Sequence, residues 1–265
     1  MIKPKGPIKN LLTLARIIAR NFFIHESNPS LEKLNFIEKR LFLDPWYHNF
    51  SSLGIKTKQK QGTYVLNQQS KQKEIFSSID KSVTLCHEHG TQKVTGVDLA
   101  SADGFYTNYA VMHGVDSMVG IDINQIDLAK SRVITKLLNN QEKVSFKFQD
   151  VFGLDQEYDM ALCAGLLYHL SNPEKLLTLL SQKIKTALVI QTIYSMRTSD
   201  PNYFVTPSPT RTWGCRFSFD YLINMATRSG WSVVESKTAI AQGNPKIDDK
   251  GTAFLLCINK TSSLV

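Results

Sequence analysis

Lys93-Val94-Thr95-Gly96-Val97-Asp98-Leu99 runs directly into Ala100-Ser101-Ala102-Asp103-Gly104-Phe105. The first seven residues read as a strand, the small residues after them as a tight turn, and Phe105 as the opening of a helix that lasts to about Met112. The same strand-then-helix pattern recurs downstream, which is the signature of a parallel α/β sheet. Strands are expected at 118–122, 144–148, 158–163 and 186–193. Helices are expected at about 125–138 and from Asn172-Pro173-Glu174 onward, where proline suits the first helical turn. Upstream, a helix around 70–88 leads into the first strand. A long loop to about Phe217 precedes a helix through Arg228, and two β-rich runs, 231–240 and 252–259, finish the chain. The expectation is an α/β fold on a seven-stranded, mostly parallel sheet whose last strand is antiparallel.

The N-terminal portion has a different character. Apolar residues at helical spacing (Ile8, Leu11, Leu12, Ala15, Ile18, Ala19, Phe22, then Leu31, Leu34, Ile37, Leu41) predict amphipathic helices over 7–25 and 30–43. They fit packing against a neighbouring domain better than lying on a membrane. An irregular aromatic segment follows, Asp44-Pro45-Trp46-Tyr47-His48-Asn49-Phe50, and continues to Gly62. The chain therefore divides into a helical N-terminal lobe or lid, 1–68, and a sheet domain, 69–265. The net charge of +8 falls wholly within residues 1–81, while 82–265 is neutral. That asymmetry suits a polyanionic partner, RNA or an anionic membrane surface, although a solvated lysine-rich face is the simpler account of charge alone.

At 42% hydrophobic and 20% charged residues, the composition is that of a folded protein. No run reaches the roughly 18 apolar residues that a membrane span needs, and Arg16 and Arg20 interrupt the N-terminal apolar stretch. Neither a spanning helix nor a signal peptide is read there. Cys86, Cys163, Cys215 and Cys257 lie far apart, so reduced thiols in a cytoplasmic protein are expected. His87-Glu88-His89 lacks further ligands at sensible spacing and reads as a polar helix end, not a metal site.

In a doubly wound sheet, ligands bind beyond the carboxyl ends of the strands, where the strand order reverses. Three successive strands end in carboxylates: Asp98, Asp122 before Ile123, and Asp150 before Val151 and Phe152. An acidic side chain at Asp122 can accept both hydroxyls of a ribose, and one at Asp150 can accept from an adenine amino group flanked by Val151 and Phe152. The set predicts one adenosine-type ligand and not a dinucleotide, since no second glycine-rich βαβ unit appears. As a glycine fingerprint the first turn is incomplete, because Ala100 and Ala102 flank Ser101 where glycines are usual and only Gly104 remains before Phe105.

The runs Val97 to Thr107, Val119-Gly120-Ile121-Asp122 and Ala164-Gly165-Leu166-Leu167-Tyr168-His169-Leu170-Ser171-Asn172-Pro173 resemble class I S-adenosylmethionine-dependent methyltransferases, whose sheet is Rossmann-like. More narrowly, they are similar to the wobble-uridine tRNA methyltransferase-like group. There the first turn reads DIGAWDGF, the fourth strand runs into GxLYHLxxP, and an upstream segment reads WYHxxxLxxGxxT. Trp46-Tyr47-His48 match that segment, and Gly54 and Thr57 keep its GxxT spacing, each one residue nearer the Trp than in the pattern. The resemblance covers about residues 44–240 and implies S-adenosylmethionine as cofactor. The residues that would hold it are Asp98, Ala100, Ser101, Ala102, Gly104, Phe105, Asp122, Ile123, Asp150, Val151, Phe152, Ala164 and Gly165. Some of the group use a carboxylated cofactor recognised by an additional lysine in the N-terminal segment. Tyr47 and His48 stand near that place here, so ordinary S-adenosylmethionine is expected. Ala100 departs from the pattern and weakens cofactor affinity if its position needs φ > 0.

A sulfonium methyl is already activated, so catalysis is mainly the positioning of an acceptor lone pair in line with the S–CH₃ bond. His169, after the fourth strand, is the candidate general base for a hydroxyl acceptor, the alternative being a histidine that orients the helix. Tyr168 beside it is placed to line the sulfonium. Trp46, Tyr47 and His48 either contact cofactor and acceptor or pack the two lobes together. Arg211 and Trp213, in the long loop after the fifth strand, are candidate acceptor contacts, Arg211 for a phosphate or carboxylate. The leading reading is a cytoplasmic methyltransferase acting on an oxygen, with tRNA as one acceptor. A small polar metabolite or glycan precursor is the alternative acceptor, and a non-catalytic adenosyl-binding protein is the alternative of another class. Nothing in the sequence points to an oligomeric state.

Overall fold

The computed structural model describes residues 31–243 and 249–262. A strand buried on both faces sends successive side chains to opposite sides, and this alternation builds two cores. Met160, Leu162, Ala187, Val189 and Leu256 enter one, while Ala161, Cys163, Leu188, Ile190 and Cys257 enter the other. The strands are β1 (Thr95–Leu99), β2 (Ser117–Asp122), β3 (Val144–Phe148), β4 (Tyr158–Ala164), β5 (Ile184–Ser195), a short pair β6 (Phe204–Val205) and β7 (Arg216–Phe217), then β8 (Trp231–Ile240) and β9 (Lys250–Asn259). Seven of them form one sheet in the order β3-β2-β1-β4-β5-β9-β8. Strands β1 to β5 pair in parallel, and β9 is antiparallel to both β5 and β8. The expected mostly parallel sheet with an antiparallel last strand is thus present.

Helices α1 (Phe36–Leu43), α2 (Thr63–Glu88), α3 (Phe105–Met112) and α4 (Gln125–Leu137) contribute to the first core. Helices α5 (Pro173–Lys183) and α6 (Phe219–Arg228) contribute to the second. Their starts are set by side chains that accept the orphan N–H groups of the first turn: Asn124 for α4, Asn172 for α5 with proline next, and Ser218 for α6. Strand order reverses at β1, which lies between β2 and β4, so the crevice at the carboxyl ends of β1 and β4 is the ligand position of this topology.

Three expectations are corrected. The helix expected over 30–43 is confined to Phe36–Leu43, because Asn35 and Glu38 form a reciprocal capping box that fixes its start. The helix expected from 70 begins at Thr63, and the expected division at residue 68 falls inside it. Strand β5 extends two residues beyond its expected span at each end, since its pairing with β9 runs from Ala187 to Ser195 and α5 leads into it without a loop. The helix expected over 7–25 lies outside the described residues.

Candidate active site

The turn after β1 is held by its neighbours. Ser101 N–H donates to the Ile121 carbonyl, and Asp122 accepts from Ala102 N–H through Oδ2 at 2.9 Å and from Asn124 N–H through Oδ1 at 2.8 Å. Ala100 and Ala102 both take positive φ, 56° and 48°, so the two positions where glycine is usual do have the left-handed backbone that glycine favours. Gly104, at φ 75°, starts α3. Asp98 is buried at the end of β1 and accepts Thr107 Oγ1 at 2.6 Å. Burial, opposed by that hydrogen bond and aided by Asp122 and Asp103, pushes its carboxyl up to about 7.

Asp103 joins this turn to the Trp46-Tyr47-His48 segment. His48 donates its backbone N–H at 2.8 Å to one carboxylate oxygen and Nδ1–H at 2.6 Å to the other, both groups being buried. Burial raises the Asp103 carboxyl, but the charge and hydrogen bonds of His48 outweigh it and the net direction is down. The segment is fastened again where Lys130 Nζ donates to Asp44 and to the Pro45 carbonyl, each at 2.9 Å.

Two adjoining hollows of about 400 and 380 Å³ share Ala100, Asp122, Ile123 and Leu166 and make one cleft over β1 and β4. The first is walled by Asp150, Val151 and Phe152, with Lys175 at its edge. The second runs from Asp98, Ser101 and Ala102 past Ala164 and Gly165 to Tyr168 and His169, with Tyr47, His48 and Lys71 across from them. The Ser101 and Tyr106 hydroxyls, on residues lining this part, are buried with no protein partner. Orphaned groups beside an adenosine-sized cleft fit a polar ligand. Asp122 fits as well, since each of its oxygens has taken one N–H and keeps a lone pair.

At the far end, His169 stacks on Trp213 with ring centroids 5.1 Å apart and planes 6° apart, and the Arg211 guanidinium lies 4.4 Å from the other ring's centroid. The loop reaches His169 because Gly214, at φ 72°, closes on the turn below. A Cβ there would lie 2.4 Å from the Tyr168 carbonyl oxygen, which accepts from Cys215 N–H. Burial first, then the charges of Arg211 and Lys71, lower the His169 imidazole to about 4.

Most of the residues singled out in the sequence meet in this cleft, with five departures, one of them Arg211, which lies over Trp213 and does not line either hollow. Trp46 is fully buried, its Nε1–H donating to the Phe42 carbonyl and its ring edge-on to Phe42 and Phe50. It is core, not cavity wall, because an indole that finds a backbone acceptor inside loses nothing by burial. Phe105 is likewise buried, stacked on His48, and Gly104 shapes the turn without lining the cleft. Trp213 reaches the site through His169 and not as cavity wall. Sequence reasoning missed Asp103, Tyr106, Lys71 and Arg216. Only Asp103 carried a signal, its place in the motif beside Gly104. Among the described residues there is no His/Cys/Asp/Glu group suited to a metal ion, and all four cysteines are buried and free.

A doubly wound sheet with an inserted antiparallel strand, and an adenosine-sized cleft at its switch point edged by three strand-end aspartates, is the architecture of a Rossmann-like protein with a nucleoside-type site. The family model described as "Methyltransferase domain" matches residues 66–236, and the chain belongs to that family. It is a methyltransferase, an enzyme, and its methyl donor is S-adenosylmethionine. It is 23% identical over 214 residues to the tRNA U34 carboxymethyltransferase of Helicobacter pylori (strain HPAG1), covering 77% of this chain and 74% of that protein. Its fold is shared with the crystal structure of the N-terminal domain of EvdMO1 with SAH bound, at a TM-score of 0.60 and 19% identity over 84% of this chain and 95% of that one. The magnesium protoporphyrin IX methyltransferase (ChlM) of Synechocystis PCC 6803 with bound SAM gives a TM-score of 0.57 at 13% identity, covering 88% of this chain and all of the other. No helix among the described residues is long and apolar enough to cross a membrane.

Proposed function

We propose that the chain methylates an oxygen of a polar acceptor, with His169 as general base. When bound, S-adenosylmethionine supplies a sulfonium methyl, and the acceptor oxygen forms its bond to that carbon as the C–S bond breaks. Asp150, Val151 and Phe152 hold the adenine, Asp122 the ribose hydroxyls, and Asp98 with the Ala164-Gly165 turn the amino-acid end. His169 takes the proton the acceptor hydroxyl loses, Tyr168 flanks the methyl, and Trp213 holds the imidazole in plane. The observation that carries this reading is a neutral imidazole at the far end of the donor cleft, braced by Trp213.

For the acceptor, the resemblance to tRNA U34 carboxymethyltransferases and the basic first 81 residues favour tRNA. Residues 1–68 then act as a docking lobe. A second reading, a small polar metabolite, is favoured by the enclosure of His169 in a cleft that Tyr47 and His48 also line. Either reaction is assigned to the cytoplasm, in keeping with four free thiols. The test is transfer of labelled methyl from S-adenosylmethionine into cell extract, followed by separation of RNA, protein and small molecules. Label in RNA supports tRNA, label in small molecules alone supports the second acceptor, and label in neither sinks both.

A further inference from the structure

Beyond Tyr168 and Lys71 the cleft continues into a smaller cavity of about 120 Å³. Its walls carry Lys71, Arg211, Arg216 and Lys250, and no carboxylate is among its described lining residues. Arg216 is 5% exposed, and its Nε and one terminal nitrogen have no hydrogen-bond partner. Lys71 is 8% exposed, and among the described residues no ion pair or hydrogen bond holds its ammonium group. The Gln191 side-chain oxygen is also buried and unpartnered, its amide nitrogen donating to Thr252. Asp249 acts electrostatically on Arg216 but lies outside the lining, accepting the Ser195 hydroxyl at 2.8 Å and facing Arg197 Nε at 4.0 Å.

Buried cations without counter-ions are costly, and a protein keeps them where a ligand supplies the missing charge. We infer that this cavity is a phosphate-binding subsite for the acceptor, with the buried Lys71 and Arg216 as its cations and Arg211 at its exposed rim. The inference rests on the methyl-transfer reading and deepens it, since a phosphate seated here anchors an acceptor whose hydroxyl faces His169. The cavity, about 120 Å³, is large enough for a tetrahedral oxyanion. A phosphate brings up to two charges and three free oxygens, which matches several converging cations better than the single charge of a carboxylate. Burial lowers Lys71 to about 8, and burial lowers Arg216 even though Asp249 opposes it, with Arg211 adding to the fall; an anion in the cavity would relieve both. The shared chemistry is the phosphate group, whether it belongs to a small phosphorylated acceptor or to the backbone of RNA.

The test is calorimetric titration of inorganic phosphate into the full chain saturated with S-adenosylhomocysteine, at fixed chloride. The expected result is saturable binding that weakens about tenfold in Arg216→Met and in Lys71→Met, with S-adenosylhomocysteine affinity changed less than about threefold in Arg216→Met. Arg211→Met, on the exposed rim, gives the same reading if the Arg216 variant fails to fold. Absence of saturable phosphate binding, or equal affinity in these variants, overturns the subsite. So does parallel loss of S-adenosylhomocysteine and phosphate in Lys71→Met, which would assign the lysine to the donor's own carboxylate. Displacement of phosphate by ribose 5-phosphate supports a monoester on a small acceptor, displacement by an oligoribonucleotide without terminal phosphates supports the RNA backbone, and displacement by neither overturns an acceptor role. Failure of the methyl-transfer reading is separable, because then S-adenosylhomocysteine itself does not bind the native chain.

Discussion

As the proposed general base, His169 must be neutral to take a proton, and Arg211 and Lys71 repel its charged form. With burial, their repulsion holds the imidazole near 4, so it is a free base throughout the neutral range. Replacing it with asparagine is expected to lower kcat by about 100-fold while KM for the donor holds, measured by methyl transfer at saturating donor. The acid limb of kcat belongs near pH 4, and a limb at pH 6 to 7 that disappears in the variant would contradict the assignment. The sign for stability follows from the same shift. The unfolded chain binds the proton at about 6.5 and the folded chain only at about 4, so this residue costs stability progressively as pH falls from 6.5 to 4. Thermal melts across that window should fall less steeply for His169→Asn than for the native chain. Ala100 is the second residue whose chemistry opposes its geometry. A non-glycine residue in the left-handed region costs about 1–2 kcal/mol, and glycine's extra freedom when unfolded returns about 0.5–1 of that. Ala100→Gly should therefore raise stability by up to about 1.5 kcal/mol in a denaturant melt, and a destabilised variant would refute the strain.

At the scale of elements, the His48–Asp103 pair makes one unit of two stretches separated by 55 residues, the aromatic segment and the turn after β1. Their co-occurrence as motifs thereby acquires a physical reason, because the segment supplies the donor that a buried carboxylate needs. Removing one member of a buried pair leaves the other uncompensated, so Asp103→Ala should destabilise by about 3–5 kcal/mol in urea melts. It should also weaken donor binding, since Ala102 and Ser101 adjoin it in the cleft. A melt unchanged within about 0.5 kcal/mol would make the pair incidental. The sheet was legible because its central strands alternate into two apolar cores and helices α4, α5 and α6 carry capping side chains. The cleft was legible because strand ends bear their carboxylates at known intervals. Helix α2 was read short for the converse reason. Its buried face, Ile75, Ile79 and Val83, continues toward the N-terminus as Lys71 and Gln68, which are polar at core-facing positions, and Lys71 lines the cavity. Apolar periodicity cannot report a helix turn whose inward face addresses a ligand. Trp46 misled in the opposite direction, since an aromatic residue in an irregular stretch looks like a contact residue until its packing on Phe42 and Phe50 is seen.

For the whole molecule, the distribution of charge separates the two acceptors. All the excess charge lies in residues 1–81, while the sheet domain that holds the donor is neutral. A nucleic-acid acceptor would meet that first third, and each lysine or arginine set against a phosphate releases counterions. For about four such contacts to a single-stranded region, affinity falls about 50-fold between 50 and 200 mM salt. A small acceptor seated in the interior cavity is screened much less, because its cations are enclosed. The expected outcome with tRNA as acceptor is a KM that climbs steeply with salt while donor affinity, governed by the neutral domain, stays level. Charge reversal of Lys56, Lys58 and Lys60, which precede α2, should then raise KM for RNA several-fold and flatten the salt slope, leaving donor affinity as it was. A flat salt response in the native chain would remove RNA docking from the first third and leave the small acceptor, anchored by the buried cations beyond Tyr168, as the reading that accounts for the site.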